Sequence, residues 1–158
     1  MMPCKDFERG AAATFSEVPV PHPTGSPKQP DCGLGWKANS VVYIEDDAVD
    51  VALMEHVFGT QSQWRLHCAT NGASGIAAAL QQHPRVILLD MNLPDMTGIE
   101  VFRRLKTDPR TSQIPCVAVS ADAMSTSIYR VRAMGFEDYW TKPLDLAVTV
   151  GKLKRLLA

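Results

Sequence analysis

The run Val41-Val-Tyr-Ile-Glu45 is almost wholly apolar, which predicts a strand covered on both faces rather than one with a wet side. Asp47 then stands where it can cap a helix whose apolar stripe is Val49, Ala52, Leu53 and Val57, with Gly59 ending it. Residues 64–69 alternate apolar and polar side chains, as a strand near a sheet edge does. Asn71 can cap a helix over residues 72–82, whose small side chains allow close approach to a sheet. Residues 86–90 form a second buried strand, and 98–106 a helix closed by Asp108-Pro109. Residues 115–120 are a strand, 124–134 a helix ended by Gly135, and 137–140 a short strand. The last helix carries Leu146, Val150, Leu153 and Leu157 on one face. Lys152, Lys154 and Arg155 lie near its C-terminus, where cations suit the dipole. Strand and helix alternate five times without an internal repeat. Connections of this length predict a parallel sheet with right-handed crossovers and helices on both faces, an α/β three-layer sandwich of (βα)5 type.

Composition divides the chain near residue 38. Residues 1–38 hold six of the eleven prolines, five of them between Pro19 and Pro30, with Gly25, Gly33 and Gly35 interspersed. Such a stretch predicts a flexible tail or linker, followed by one domain over residues 40–158. Net charge is −1, from 16 basic and 17 acidic residues, so no global field favours nucleic acid or an anionic membrane. Cys4, Cys32, Cys68 and Cys116 are far apart, which argues against a zinc site or a disulfide scaffold and suits a reducing compartment. No apolar stretch approaches the roughly 20 residues that span a bilayer, and no signal-peptide pattern opens the chain. A cytoplasmic protein is expected.

In the predicted sheet, strands one, three, four and five point their C-terminal ends toward one rim, where open α/β sheets do their chemistry. That rim gathers Glu45 and Asp46, then Asp90, Ser120 and Lys142. Packed carboxylates repel unless a cation sits among them, and Mg2+ prefers hard oxygen ligands. With Mg2+ and Lys142 neutralising charge, Asp90 becomes a nucleophile towards phosphorus. Singly, each residue has a plainer explanation. Asp47 reads as a helix cap more readily than as a ligand, Ser120 as a turn hydroxyl, Lys142 as a solvated cation, and Asp95 as a stabiliser of the turn before Gly98. Five such elements in order on four strand ends are not explained that way.

The segments Val41-Val-Tyr-Ile-Glu-Asp-Asp47, Ile87-Leu-Leu-Asp-Met-Asn-Leu-Pro-Asp-Met-Thr-Gly98, Ala118-Val-Ser-Ala-Asp-Ala123 and Gly135-Phe-Glu-Asp-Tyr-Trp-Thr-Lys-Pro143 together resemble the receiver domain of two-component response regulators over residues 40–158. Receivers of hybrid histidine kinases and stand-alone single-domain regulators are the most similar kinds. The resemblance implies a flavodoxin-like sheet of order 2-1-3-4-5. It implies that Asp90 accepts a phosphoryl group from a phosphohistidine on a sensor histidine kinase or histidine phosphotransfer protein, assisted by Lys142 and Ser120. The metal, Mg2+ or Mn2+, is then held by Glu45, Asp46, Asp90 and the backbone carbonyl of Asn92. Ser120 and Tyr139 form the switch, Asn92 and Asp122 tune acyl-phosphate hydrolysis, and Lys142-Pro143 is a cis peptide.

Two positions depart from the common pattern: Glu45 replaces an aspartate, and Asp47 stands where asparagine is frequent. Phosphorylation is expected to draw Ser120 inward, let Tyr139 turn, and bias the face formed by residues 124–158, through which a homodimer can form. Output is expected through a protein, with no direct binding of nucleic acid or membrane and no turnover of a separate substrate. The segment Arg9-Gly-Ala-Ala-Ala-Thr-Phe-Ser-Glu-Val-Pro19 faintly resembles the last strand of a histidine-kinase ATP domain. Two rival readings fit the residues less well. A pseudo-receiver would not need the full set of acidic, hydroxyl and lysine residues. A haloacid dehalogenase-type hydrolase would need an acid where Asn92 stands.

Overall fold

The computed structural model describes residues 39–158. The predicted tail, the segment 9–19, Cys4 and Cys32 lie outside the described residues. The chain alternates β1 (Ser40–Ile44), α1 (Ala48–Gly59), β2 (Arg65–Ala69), α2 (Gly72–Gln82), β3 (Val86–Asp90), α3 (Gly98–Thr107), β4 (Cys116–Ser120), α4 (Ser125–Ala133), β5 (Asp138–Thr141) and α5 (Leu146–Leu157). All strand pairs are parallel, in the order β2-β1-β3-β4-β5, as the flavodoxin-like expectation requires. Every residue of β1, β3 and β4 is buried, which is why these three read as unbroken apolar runs. β2 lies at the edge and is buried only at Ala69.

Alternation along the central strands feeds two cores. Val41, Tyr43, Val86, Leu88, Val117, Val119 and Trp140 pack with Met54, Val57 and Phe58 of α1 and Leu153 and Leu157 of α5. Val42, Ile44, Ile87, Leu89, Cys116, Ala118 and Tyr139 pack with Ala79 of α2, Val101, Phe102 and Leu105 of α3 and Val131 of α4. The sheet therefore separates α1 and α5 from α2, α3 and α4. Gly75 makes the small-residue approach of α2 concrete, because a Cβ there would stand 2.3 Å from Ile44 Cδ1.

Two predicted helix stripes are corrected. In α1 the buried residues are Met54, Val57 and Phe58, while Val49 is 77% exposed and Ala52 is also exposed. Asp47 does cap the helix, its carboxylate accepting from the amides of Val49 and Asp50. That first turn stands at the rim of the sheet, beyond its apolar floor, so the stripe begins a turn later than Val49. In α5 Leu146 is exposed, and Thr149 is buried with Leu153 and Leu157. The β2 boundary moves from Trp64 to Arg65 because Trp64 belongs to the preceding turn. Its amide bonds the Gln61 carbonyl and its ring lies 5.5 Å from that of Phe58.

Candidate functional site

The C-terminal ends of β1, β3, β4 and β5 bring most of the predicted residues together. Leu89 pairs in register with Ile44 on one side and Ala118 on the other, so Glu45, Asp90 and Ser120 emerge at neighbouring strand ends. The Lys142 amide donates to the Ser120 carbonyl at 2.8 Å, one step beyond the Ser120–Thr141 register pair. Lys142-Pro143 is cis, as expected. Tyr43, Glu45, Asp90 and Lys142 follow the alternation that faces α1 and α5, whereas Ser120 and Tyr139 follow the one facing α2–α4.

Lys142 Nζ is the hub. It bonds Glu45 Oε2 at 2.6 Å, Asp90 Oδ2, and Asp50 Oδ2 at 2.9 Å. Burial alone would lower the lysine pKa, but the bonds to Asp50, Asp90 and Glu45 outweigh it and hold the ammonium above its ordinary range. Glu45 is almost fully buried, and its desolvation raises its carboxyl above the ordinary value of 4.5 despite the bond from Lys142 and the Asp47 amide at 3.0 Å. The Tyr43 hydroxyl donates to Glu45 Oε2 at 3.0 Å. Burial, then the adjacent Glu45 charge, push that phenol far up, so it remains a donor at any physiological pH. Asp90 is buried and accepts from the Asn92 amide at 2.5 Å. Gly98 closes against this loop, with its amide on the Met91 carbonyl at 3.0 Å.

Across the sheet edge, Ser120 Oγ accepts from the Asp122 amide at 3.1 Å. The Asp122 carbonyl accepts from the Tyr139 hydroxyl at 2.6 Å, and the Tyr139 ring is buried. The Asp122 carboxylate is exposed and turned to the start of α4, where it accepts from the Met124 amide at 2.8 Å. Ser127 and that amide lower its pKa. Asp46 is exposed beside Glu45.

Among the described residues no group of three or more acidic, histidine or cysteine side chains is arranged to hold a metal ion. The donor chemistry still suits Mg2+ or Mn2+, since Glu45 and Asp90 converge as hard oxygen donors. Mg2+ takes one or two carboxylates and fills its other positions with water or phosphate oxygens.

Sequence reasoning missed two participants and saw only the local part of a third. Asp50 stands in the first turn of α1, where the helix dipole already explains an acid, and only the fold brings it to Lys142. Tyr43 was legible in principle, because it lies two residues before Glu45 on the same face. Asp95 interacts with the backbone of its own turn at Met96, as expected, but its shortest bonds go further. It reaches the amides of Gly72 and Ala73 at 2.7 and 2.9 Å, latching the β3–α3 loop to the start of α2. These two bonds hold its carboxyl below the usual range. In Asp95→Ala, amide hydrogen exchange at Gly72 and Ala73 is expected to accelerate by about ten-fold relative to the middle of α2. Unchanged protection at those two amides would remove the latch.

The family model for the response regulator receiver domain matches residues 41–154. The polar-differentiation response regulator DivK of Brucella ovis is 30% identical over 118 residues, covering 75% of this chain and 95% of DivK. Among solved structures, the Mn2+-bound response regulator Rcp1 superposes with a TM-score of 0.62 at 25% identity, covering 75% of this chain and 91% of that one. The phosphorylated cyanobacterial phytochrome response regulator RcpA gives the same TM-score and identity, with 75% and 90% covered. With the strand order and the rim already in place, these matches settle the ancestry: the chain belongs to the response regulator receiver domain family.

Proposed function

We propose that Asp90 accepts a phosphoryl group from a phosphohistidine on a sensor histidine kinase or histidine phosphotransfer protein, and that the acyl phosphate switches a protein-binding face. The observation that carries this reading is the pairing of the buried Asp90 carboxylate with Lys142 at the C-terminal end of β3, one strand from the Ser120 hydroxyl. A carboxylate oxygen of Asp90 attacks phosphorus, the P–N bond to the imidazole breaks, and its electron pair stays on the ring nitrogen. Lys142 balances charge on the phosphoryl oxygens and Ser120 donates a hydrogen bond to one of them. Glu45, Asp46, Asp90 and the Asn92 carbonyl would hold Mg2+ or Mn2+, which supplies further charge neutralisation on the phosphoryl oxygens. The Mn2+ in Rcp1 and the phosphorylation of RcpA support both parts.

Ser120 leaving the Asp122 amide for the phosphoryl group loosens the loop on which the Tyr139 hydroxyl is anchored. This biases α4, β5 and α5. Met124 (66%) at the N-cap of α4, Tyr129 (77%) in its middle and Val148 (54%) in the first turn of α5 are exposed large hydrophobic residues. They suit a protein partner or a second copy of the chain. No helix among the described residues is long and apolar enough to cross a membrane. The domain acts on its own aspartate and turns over no separate substrate.

Acetyl phosphate with Mg2+ should produce a phosphate-dependent mobility shift of the wild-type protein, and Asp90→Asn should show none. Full labelling of Asp90→Asn would overturn the assignment of the phosphoacceptor.

A further inference from the structure

Lys142 has no free N–H in this arrangement. An ammonium has three donors, and here three carboxylates accept them: Glu45 Oε2 at 2.6 Å, Asp50 Oδ2 at 2.9 Å, and Asp90 Oδ2. A phosphoryl oxygen arriving on Asp90 therefore finds the lysine fully engaged. Of the three acceptors Asp50 is the one most readily given up. Its side chain is 23% exposed, against 7% for Asp90 and 1% for Glu45, so water can replace the lysine at a lower desolvation cost. Its bond to the lysine is also longer than that of Glu45. Asp50 comes from α1, on a different element from the strand ends that carry Glu45 and Asp90.

We propose that Asp50 is a tether for Lys142: in the resting protein it holds the third N–H, and it surrenders that N–H to the phosphoryl group, so it sets how readily Asp90 is phosphorylated. The proposal rests on the reading of Asp90 as the phosphoacceptor. Asp50 touches no reacting atom and is a positioning residue.

The test uses the whole chain and compares three variants. Asp50→Asn should take label from acetyl phosphate about two- to five-fold faster than wild type, the range expected for releasing one partly solvated ion pair. Asp50→Glu should return the rate towards wild type. Asp47→Asn removes the same charge nearby while keeping a competent helix cap, and should leave the rate unchanged. An independent readout is the Lys142 Nζ resonance in unphosphorylated, lysine-15N-labelled protein, which should move in Asp50→Asn and not in Asp47→Asn. An unmoved resonance, an unchanged or slower rate in Asp50→Asn, or an equal gain in Asp47→Asn overturns the tether. Failure of the phosphoacceptor reading is separate, since labelling would then survive in Asp90→Asn whatever the lysine resonance does.

Discussion

Lys142→Met should be less stable than the wild type by about 2 to 3 kcal/mol at neutral pH in the absence of divalent cations, and should regain part of that loss on mild acidification. Removing one partner of a buried ion pair costs about 3 to 5 kcal/mol in closed interiors. Here the figure is reduced because the rim admits water to Asp50. The substitution leaves Glu45, Asp90 and Asp50 facing one another without their cation.

The pH response follows from Glu45. Desolvation already raises its carboxyl above 4.5, and the bond from Lys142 is the largest influence pulling it back. Without the lysine it rises further. A carboxyl with a raised folded-state pKa binds more protons folded than unfolded. Its penalty is therefore present above the folded pKa, fades as pH falls through it, and is gone below the unfolded value of about 4.5. Urea denaturation at pH 7 and pH 5, with chelator present, measures both effects. Equal midpoints for the variant and wild type at pH 7, with parallel pH trends, would show that the carboxylates do not depend on Lys142. Added Mg2+ should restore part of the loss.

Gly98→Ala should damage stability and labelling together. A Cβ there would stand 2.6 Å from the Asp90 carbonyl oxygen and 2.7 Å from Met91 Cα. Both are backbone atoms, so no side chain can swing away to make room. Overpacking of this kind costs about 1 to 3 kcal/mol. The relief has to come from the end of β3, which carries Asp90. A shift of an ångström there should slow labelling by acetyl phosphate about ten- to a hundred-fold. The matched control is Gly151→Ala in α5, where a Cβ meets nothing within 4 Å. It should label normally and gain about 0.5 to 1 kcal/mol. Wild-type labelling in Gly98→Ala would show that the loop gives way without moving Asp90.

The fold was legible wherever one physical demand dominated. β1, β3 and β4 are covered on both faces and so appear as plain apolar runs, and Asn71 and Asp47 do cap the helices that follow them. The α1 stripe was misread because Val49 obeys the period while standing beyond the sheet, and periodicity records only direction around a helix axis. The gathering of Glu45, Asp90 and Lys142 at one rim was legible because each stands at the C-terminal end of a parallel strand. Asp50 and Asp95 were not, for a common reason: each has a sufficient local explanation, yet each spends its carboxylate on a group far away in sequence. Asp95 binds amides 22 and 23 residues upstream, and Asp50 binds a lysine on the opposite side of the chain's order.

The amide of Lys142 and the carbonyl of Ser120 share one hydrogen bond at the end of the β4–β5 ladder. The hydroxyl and the ammonium are thus mounted on a common frame, although their side chains leave on opposite faces of the sheet. A tilt of that frame repositions both groups in the same instant, so neither can be retuned by lengthening a loop without detuning the other. Variation in such a pair is confined to side-chain reach, the kind of change that lengthens an arm by a single methylene and leaves the frame alone.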